Sequence, residues 1–207
     1  MAYEFNEGER ALQDRFDTRR LADRVAQLTR DSIEDGDRDF IERMDMFFLA
    51  SVDKNGNVDC GYKGGEPGFV RVIDEHTIAF PWYDGNGQYM GAGNILTMGK
   101  VAMLFIDFEH ARRMRVNGTA TIDFADPLAS EFHEAQFVVR VHTEEVFPNC
   151  PRYIHKMQLV ERSQFVPHVE CETPDPDWKD YFEEDLPERD QQRRAAKRGA
   201  APAGSDR

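Results

Sequence analysis

The sequence predicts a mainly β protein, a small closed antiparallel barrel of Greek-key type with flanking helices. Three observations predict it. The hydrophobic period changes near residue 46 from helical spacing to alternation. The strand-like runs that follow are separated mostly by short turns, which antiparallel neighbours tolerate and parallel crossovers do not. With five or more such strands, closure into a barrel removes the exposed edges that would otherwise invite aggregation.

In chain order, residues 7–30 read as one charged amphipathic helix, with Leu12, Phe16, Leu21, Val25 and Leu28 spaced three to five apart. A second short helical piece, DFIERM, leads into the barrel. MFFLASV (46–52), NVDCGY (57–62), FVRVID ending at Asp74, TIAFPWY (77–83), KVAMLFIDF (100–108), RMRVNGTATIDF (113–124) and QFVVRVHTEEVF (136–147) read as strands. DKNGN (53–57) is a hairpin signal and DEH (74–76) a tight polar connection. Asp126 followed by Pro127 predicts an N-cap and first turn, opening a short helix over LASEFHEA. Asn149 followed by Pro151 predicts another helix start by the same logic.

The organisation expected is a helical extension over 1–39, a barrel over 40–165 and an acidic, proline-containing extension over 166–207. In the last part, TPDPDWKDYFEEDLPERD offers aromatic anchors for packing over the barrel. From about Gln191 onward, a frayed helix giving way to a disordered tail is expected.

Composition narrows the function classes. Lys and Arg number 26 against 39 Asp and Glu, a net charge of −13, so a phosphate backbone is repelled and no nucleic-acid partner is expected. No apolar run approaches the ~18 residues of a membrane span. The start MAYEFNEGER lacks the basic and apolar regions of a secretory signal. Cys60, Cys150 and Cys171 cannot all pair, and with no export signal they read as reduced thiols of a cytoplasmic protein. The histidines and cysteines lack metal-ligand spacing, so no metal is expected. Cys150 precedes Pro151 at the expected helix start, which can lower a thiol pKa, although most such cysteines are inert packing residues.

Three stretches carry candidate binding chemistry. GYKGGEPGFVRV (61–72) reads either as a wide turn whose glycines supply positive φ, or as a loop whose lack of bulk lets a flat ligand approach the backbone. Its order is not that of a phosphate-binding Walker loop, and a strand follows where that motif needs a helix. DGNGQYMGAGNIL (84–96) is either a glycine-softened loop or a helix start whose free N–H groups face an anion. Arg112, Arg113 and Arg115 form either a solvated charged face or a set of guanidinium forks for a phosphate or a carbonyl.

The order of these features resembles one family. The run FFLASVDKNGNVDCGYKGGEPGFVRVIDEHTIAFPWYDGNGQYMGAGNILTMGKVAMLFIDF, then RRMRVNGTATI, then EEVFPNCPRYI, is similar to the pyridoxamine 5'-phosphate oxidase-related flavoproteins, which are FMN-binding split barrels. The resemblance covers about residues 40–160. It implies FMN at a homodimer interface, with the phosphate held by basic residues and helix-start amides and the ring lying against strand backbone. Carried over by position, it implies cofactor contacts at Phe69, Val70 and Arg71, with Arg71 standing where the oxidases carry a lysine, and at Pro81 and Trp82 on the next strand. Asn86, Gly87 and Gln88 stand where the oxidases place two adjacent basic residues, and none is basic here. Arg113 aligns with a cofactor-contacting glutamine, and Arg112 or Arg115 is a source of the missing charge. Lys63 and Arg152 are candidate substrate contacts, and pyridoxamine phosphate itself is not the expected substrate.

The function implied is an FMN-dependent oxidoreductase whose flavin takes or gives a hydride, with a small-molecule substrate or an electron donor such as NAD(P)H, and with no side chain named as catalytic. The alternatives are a non-catalytic flavin or heme carrier or sensor of the same fold, and a barrel using coenzyme F420 in place of FMN.

Overall fold

The computed structural model describes residues 3–200. Its centre is a seven-stranded sheet: β1 (Met46–Val52), β2 (Val58–Gly64), β3 (Arg71–Asp74), β4 (Thr77–Trp82), β5 (Lys100–Asp107), β6 (Arg112–Asp123) and β7 (Phe137–Pro148). The ladder order is β2-β1-β5-β6-β7-β4-β3, with every pairing antiparallel. β5, β6 and β7 form a meander, and β4 joins its far side to complete a Greek key.

The alternation that marks these strands in the sequence reappears as burial. In β1, Phe47 and Leu49 point inward between half-buried neighbours, and in β5 Val101, Met103 and Phe105 do the same. The sheet is strongly curled. The ring of Phe47 on β1 lies 5.1 Å from that of Phe80 on β4. Four ladder steps separate those strands, which on a flat sheet would be about 19 Å. The same Phe47 ring also meets Phe69 at 5.8 Å and Phe105 at 5.2 Å, so one phenylalanine joins opposite walls of a single core. Between β6 and β7 the register shifts at Asn117–Gly118. A Cβ on Gly118 would fall 2.1 Å from the His142 carbonyl oxygen, so only glycine lets the two backbones approach there.

Among the described residues five α-helices flank the sheet: α1 (Glu7–Arg15), α2 (Arg19–Ala26), α3 (Asp35–Glu42), α4 (Met90–Met98) and α5 (Glu188–Ala200). The single helix expected over residues 7–30 is two. Asp17 takes a left-handed conformation (φ 51°) and the Thr18 N–H returns to the Gln13 carbonyl at 2.8 Å, a helix stop that aspartate tolerates without glycine. The expected apolar stripe Leu12, Phe16, Leu21, Val25 and Leu28 stays solvent-exposed, while Gln13 is buried. α4 crosses from β4 to β5, burying Ala92 and Ile95, and Asn94 Nδ2 donates to Ser51 Oγ on β1 at 3.0 Å.

Two other expectations are corrected. After Asp126, whose side chain caps Leu128 N–H, the helix is a 3-10 segment limited to Pro127–Glu131. No helix starts at Pro151. The chain turns at 152–153 and runs on to Asp177 without helix or strand, apart from an isolated His168–Cys171 bridge, with Met157 N–H donating to the Phe108 carbonyl at 3.3 Å. From Gln191 the chain is helix, the later part of α5 (Glu188–Ala200), and the disordered tail expected after it falls on residues 201–207, outside the described residues. The arginines and lysine of RRAAKR explain the helix. Arg193, Arg194, Lys197 and Arg198 recur with helical spacing and pair with Asp175, Asp180, Glu172 and Glu183 on the acidic stretch before it. Each exposed pair contributes little, about 0–1 kcal/mol, but four in register fix the helix against its own acidic leader. Among the described residues no helix is long and apolar enough to cross a membrane.

Candidate functional site

Two cavities open side by side near the ends of β2 and β4. The larger, about 880 Å³, runs between the end of α3, the 62–69 stretch, the end of β5 and the extended segment 157–166. The smaller, about 350 Å³, lies between β2, the 82–89 stretch and the start of α4. Tyr62, Lys63, Tyr83 and Asp84 belong to both and form their shared wall.

The wall is built in layers. Trp82, at the end of β4, is buried and stacks on Phe137 of β7, with centroids 5.7 Å apart and planes within 14°. On the other face of the wall, Lys63 Nζ lies 3.4 Å from the centre of the indole. Alternation places Lys63 and Gly61 on one face of β2 and Tyr62 on the other. Lys63 is therefore part of a strand, not of the glycine loop that follows it. Among the described residues this ammonium has no hydrogen bond or ion pair, only the indole face and the more distant charge of Asp59. Burial lowers its pKa to about 8, against the opposing pull of Asp59. Burial, with the charges of Glu134 and Glu66, pushes the Tyr83 phenol up to about 12, so it remains an O–H donor across the neutral range.

The loop proper begins at Gly65, where a Cβ would sit 2.3 Å from Cγ of Phe69. Glycine lets the turn fold down upon that ring. Phe69 is then fixed by its stack on Phe47 and faces the larger cavity.

The 84–89 stretch is held from two sides. Asp84 receives Lys179 Nζ at 2.6 Å and Gln136 Nε2 at 3.1 Å, and the Tyr89 hydroxyl donates to Gln136 Oε1 at 2.9 Å. Gln88 N–H donates to the Asn86 side chain at 3.1 Å. Gly87 and Tyr89 both take positive φ, and no side chain caps α4. The first amides of α4 consequently have no intrahelical acceptor at the cavity rim.

At the far end of the larger cavity, the buried Asp107 carboxylate accepts from the backbone and ring of His110 and from Arg43. Burial raises its pKa, but the His110 and Arg43 interactions outweigh this and hold the carboxyl below its ordinary value.

The structure divides the residues singled out in the sequence. Phe69 and Pro81 line the larger cavity, Trp82, Asn86, Gly87 and Gln88 the smaller, and Lys63 both. Asn86–Gln88 are loop, not helix, since α4 begins at Met90. Val70 is fully buried in the core and reaches neither cavity. Arg71 turns to Glu131 in an ion pair and covers the Phe132 ring at 4.4 Å. Arg112 lies over Phe40 and Arg115 over Phe147, and Arg113 keeps a buried Nε without a partner. Arg152 donates to Cys150 Sγ at 3.1 Å on the exposed surface, and its hydrogen bonds lower the Cys150 thiol pKa. None of these five arginines lines either cavity. Sequence reasoning missed Tyr83, Asp84 and Lys179. The anchor of the C-terminal segment is Lys179, 4% exposed, and not its aromatics, since Tyr181 is 85% exposed.

The family model described as pyridoxamine 5'-phosphate oxidase matches residues 33–158. Among solved structures, the chain is similar to a protein from Lactobacillus delbrueckii described as a candidate pyridoxamine 5'-phosphate oxidase, at 26% identity and TM-score 0.46 over 57% of this chain and 95% of that one. It is similar also to HupZ of Group A Streptococcus, at 24% identity and TM-score 0.45 over 56% and 93%. An FMN-binding protein from Syntrophomonas wolfei follows at 14% identity and TM-score 0.43 over 67% and 97%. No curated protein matches the chain.

Proposed function

Because the chain belongs to the pyridoxamine 5'-phosphate oxidase family, we propose that it is an FMN-dependent oxidoreductase that works as a homodimer with the cofactor at the subunit interface. The observation that carries this reading is the smaller cavity, where the uncapped start of α4 meets an aromatic wall within the matched segment. These residues fit the group: the α4 amides suit a phosphate, and Tyr62 and Tyr83 in the cavity wall suit a flat ring system. Bound FMN would supply hydride exchange at its N5. The chain's part is to orient and to exclude water, through the Phe69–Phe47 stack, the Trp82–Phe137 stack and the loop fixed by Asp84.

A dimer supplies what one chain lacks at this rim. The basic residues expected at 86–88 are absent and Arg71 is committed to Glu131, while the β6 arginines lie outside the cavities with the Arg113 Nε unpaired. Contact across a subunit interface gives those arginines a role. The electron donor fits NAD(P)H or another small molecule.

The visible spectrum of the purified protein tests the reading. Flavin bands, or FMN uptake on titration, are expected, and their absence sinks it. Sedimentation at low micromolar concentration is expected to give a dimer, and a monomer that retains flavin contradicts the interface. The missing basic pair at 86–88 also favours a second reading, a carrier or sensor of flavin or heme, or a barrel for F420. Parallel titration with the two flavins separates the cofactors, and turnover of the loaded protein with NAD(P)H excludes the carrier.

A further inference from the structure

We propose that the α1–α2 hairpin is a self-association surface, and that its occupant is the same hairpin of a second copy of this chain. The surface lies before residue 33, where the family match begins, so it is separate from the flavin reading. Leu12 and Phe16 on α1, Leu21 and Val25 on α2, and Leu28 just beyond it are each between 52% and 67% exposed. At 3.6 residues per turn, Leu12 and Phe16 share one side of α1, and Leu21 and Val25 one side of α2. The two helices are joined on other sides, where Arg10 and Asp23 pair at 2.7 Å. The hairpin is tied to the barrel only past this stripe, where Arg30 and Val146 exchange backbone hydrogen bonds at 3.0 and 2.6 Å.

Charge favours a second copy over other partners. A chain of −13 repels its own copies across most of its surface. Residues 7–28 do not share that excess, since they hold five acids against five arginines. Glu7, Asp17, Arg15 and Arg20 have no ion pair among the described residues, so both signs remain free at the rim. A two-fold contact sets residue i against j and j against i, and a patch carrying both signs can therefore match itself. Area sets the strength. The five side chains present roughly 500 Å² on each copy, so mutual coverage buries about 1,000 Å² in all. That is the low end for a specific interface, and it implies a contact that forms as concentration rises. A closed two-fold contact doubles the unit that the barrel forms and then stops, so the proposed dimer becomes a tetramer.

Sedimentation equilibrium of the full chain, from about 5 µM to about 500 µM, tests the proposal. The mass is expected to rise twofold across that range and level off. Leu21→Gln combined with Val25→Gln removes apolar area without changing charge, at two exposed positions away from both cavities. This double variant is expected to keep the parent's thermal midpoint and its mass at the low concentration. It is expected to move the midpoint of association at least ~10-fold higher. Should it fold poorly, Leu12→Gln with Phe16→Gln takes the same reading from α1. Val160→Gln, at an exposed apolar residue elsewhere, is expected to leave the rise as it is. A constant mass, a rise unchanged in the double variant, or a rise that Val160→Gln removes equally overturns the proposal. A mass that climbs past twofold without levelling means an open contact and overturns the two-fold pairing. None of these readouts needs flavin, so a protein that binds none leaves this test standing.

Discussion

Lys179 Nζ lies 2.6 Å from Asp84 Oδ2, and this ion pair ties the C-terminal segment to the loop that walls both cavities. The pair is lopsided: the Lys179 side chain is 5% exposed and that of Asp84 54%. Removing Asp84 strands a buried ammonium, whereas removing Lys179 leaves a carboxylate that water and Gln136 still satisfy. Asp84→Ala is therefore expected to cost about 2–4 kcal/mol and Lys179→Met about 1 kcal/mol. In thermal denaturation, a kilocalorie corresponds to roughly 2–4 °C for a chain of this size. Equal losses, or a larger loss from Lys179→Met, contradict this account of the strap.

Glycine substitutions rank by what the new methyl group meets. At Gly118 it meets the His142 carbonyl, which the β6–β7 ladder holds in place, so Gly118→Ala is expected to cost about 3 kcal/mol or more. At Gly65 it meets the Phe69 ring, which is stacked on Phe47 and can give only by loosening the core, for about 1–3 kcal/mol. Gly61 has nothing within 4 Å, and Gly61→Ala is expected to fall within about 0.5 kcal/mol of the parent. Urea denaturation of the three variants checks the order, and a neutral Gly118→Ala refutes the close approach.

Asp107 gives the fold an acid-sensitive contact. Its carboxyl is held below the ordinary value in the folded state, so the stability it contributes is complete above the unfolded value near 4 and is lost as pH falls through the lower folded one. Asp107→Asn is expected to destabilise by about 1–3 kcal/mol at pH 6, and the gap between variant and parent is expected to close toward pH 3. Denaturant titrations at the two pH values measure this; a gap that does not narrow means that the charge of Asp107 is not what matters.

Strands were the legible part of this fold, for a physical reason. Alternation survives into burial, so β1, β5 and β7 appear where MFFLASV, KVAMLFIDF and QFVVRVHTEEVF stand. β3 came out shorter than FVRVID because Phe69 and Val70 bury their side chains before the ladder begins at Arg71. The glycine loop was half legible. Its glycines mark the turn after β2, but Lys63 turned out to be a strand residue facing the cavities, which no local pattern announces. The partners of the arginines are not legible, since a guanidinium reaches several ångströms, and Arg71 pairs with Glu131, sixty residues away in sequence. Lys179 was invisible for the same reason: its partner lies ninety-five residues away, and a buried lysine looks in sequence like any other in a charged stretch.

The family resemblance and the structure disagree over Arg71, and the start of α4 offers a way to choose between them. If the smaller cavity holds the FMN phosphate at those amides, the nearest position lacking a cation is Gln88, which is exposed and whose side chain supports nothing else in the fold. Gln88→Lys is expected to tighten FMN by about 1 kcal/mol, roughly fivefold, at low ionic strength. The gain is expected to shrink toward zero at about 1 M salt, where screening acts within ~3 Å. Arg71→Gln, measured in the same titration, is expected to leave affinity nearly unchanged, because that guanidinium already belongs to Glu131 and Phe132. The opposite result, a strong loss at Arg71 and none at Gln88, would move the phosphate from the helix start to β3. It would also mean that the Arg71–Glu131 pair opens when the cofactor binds.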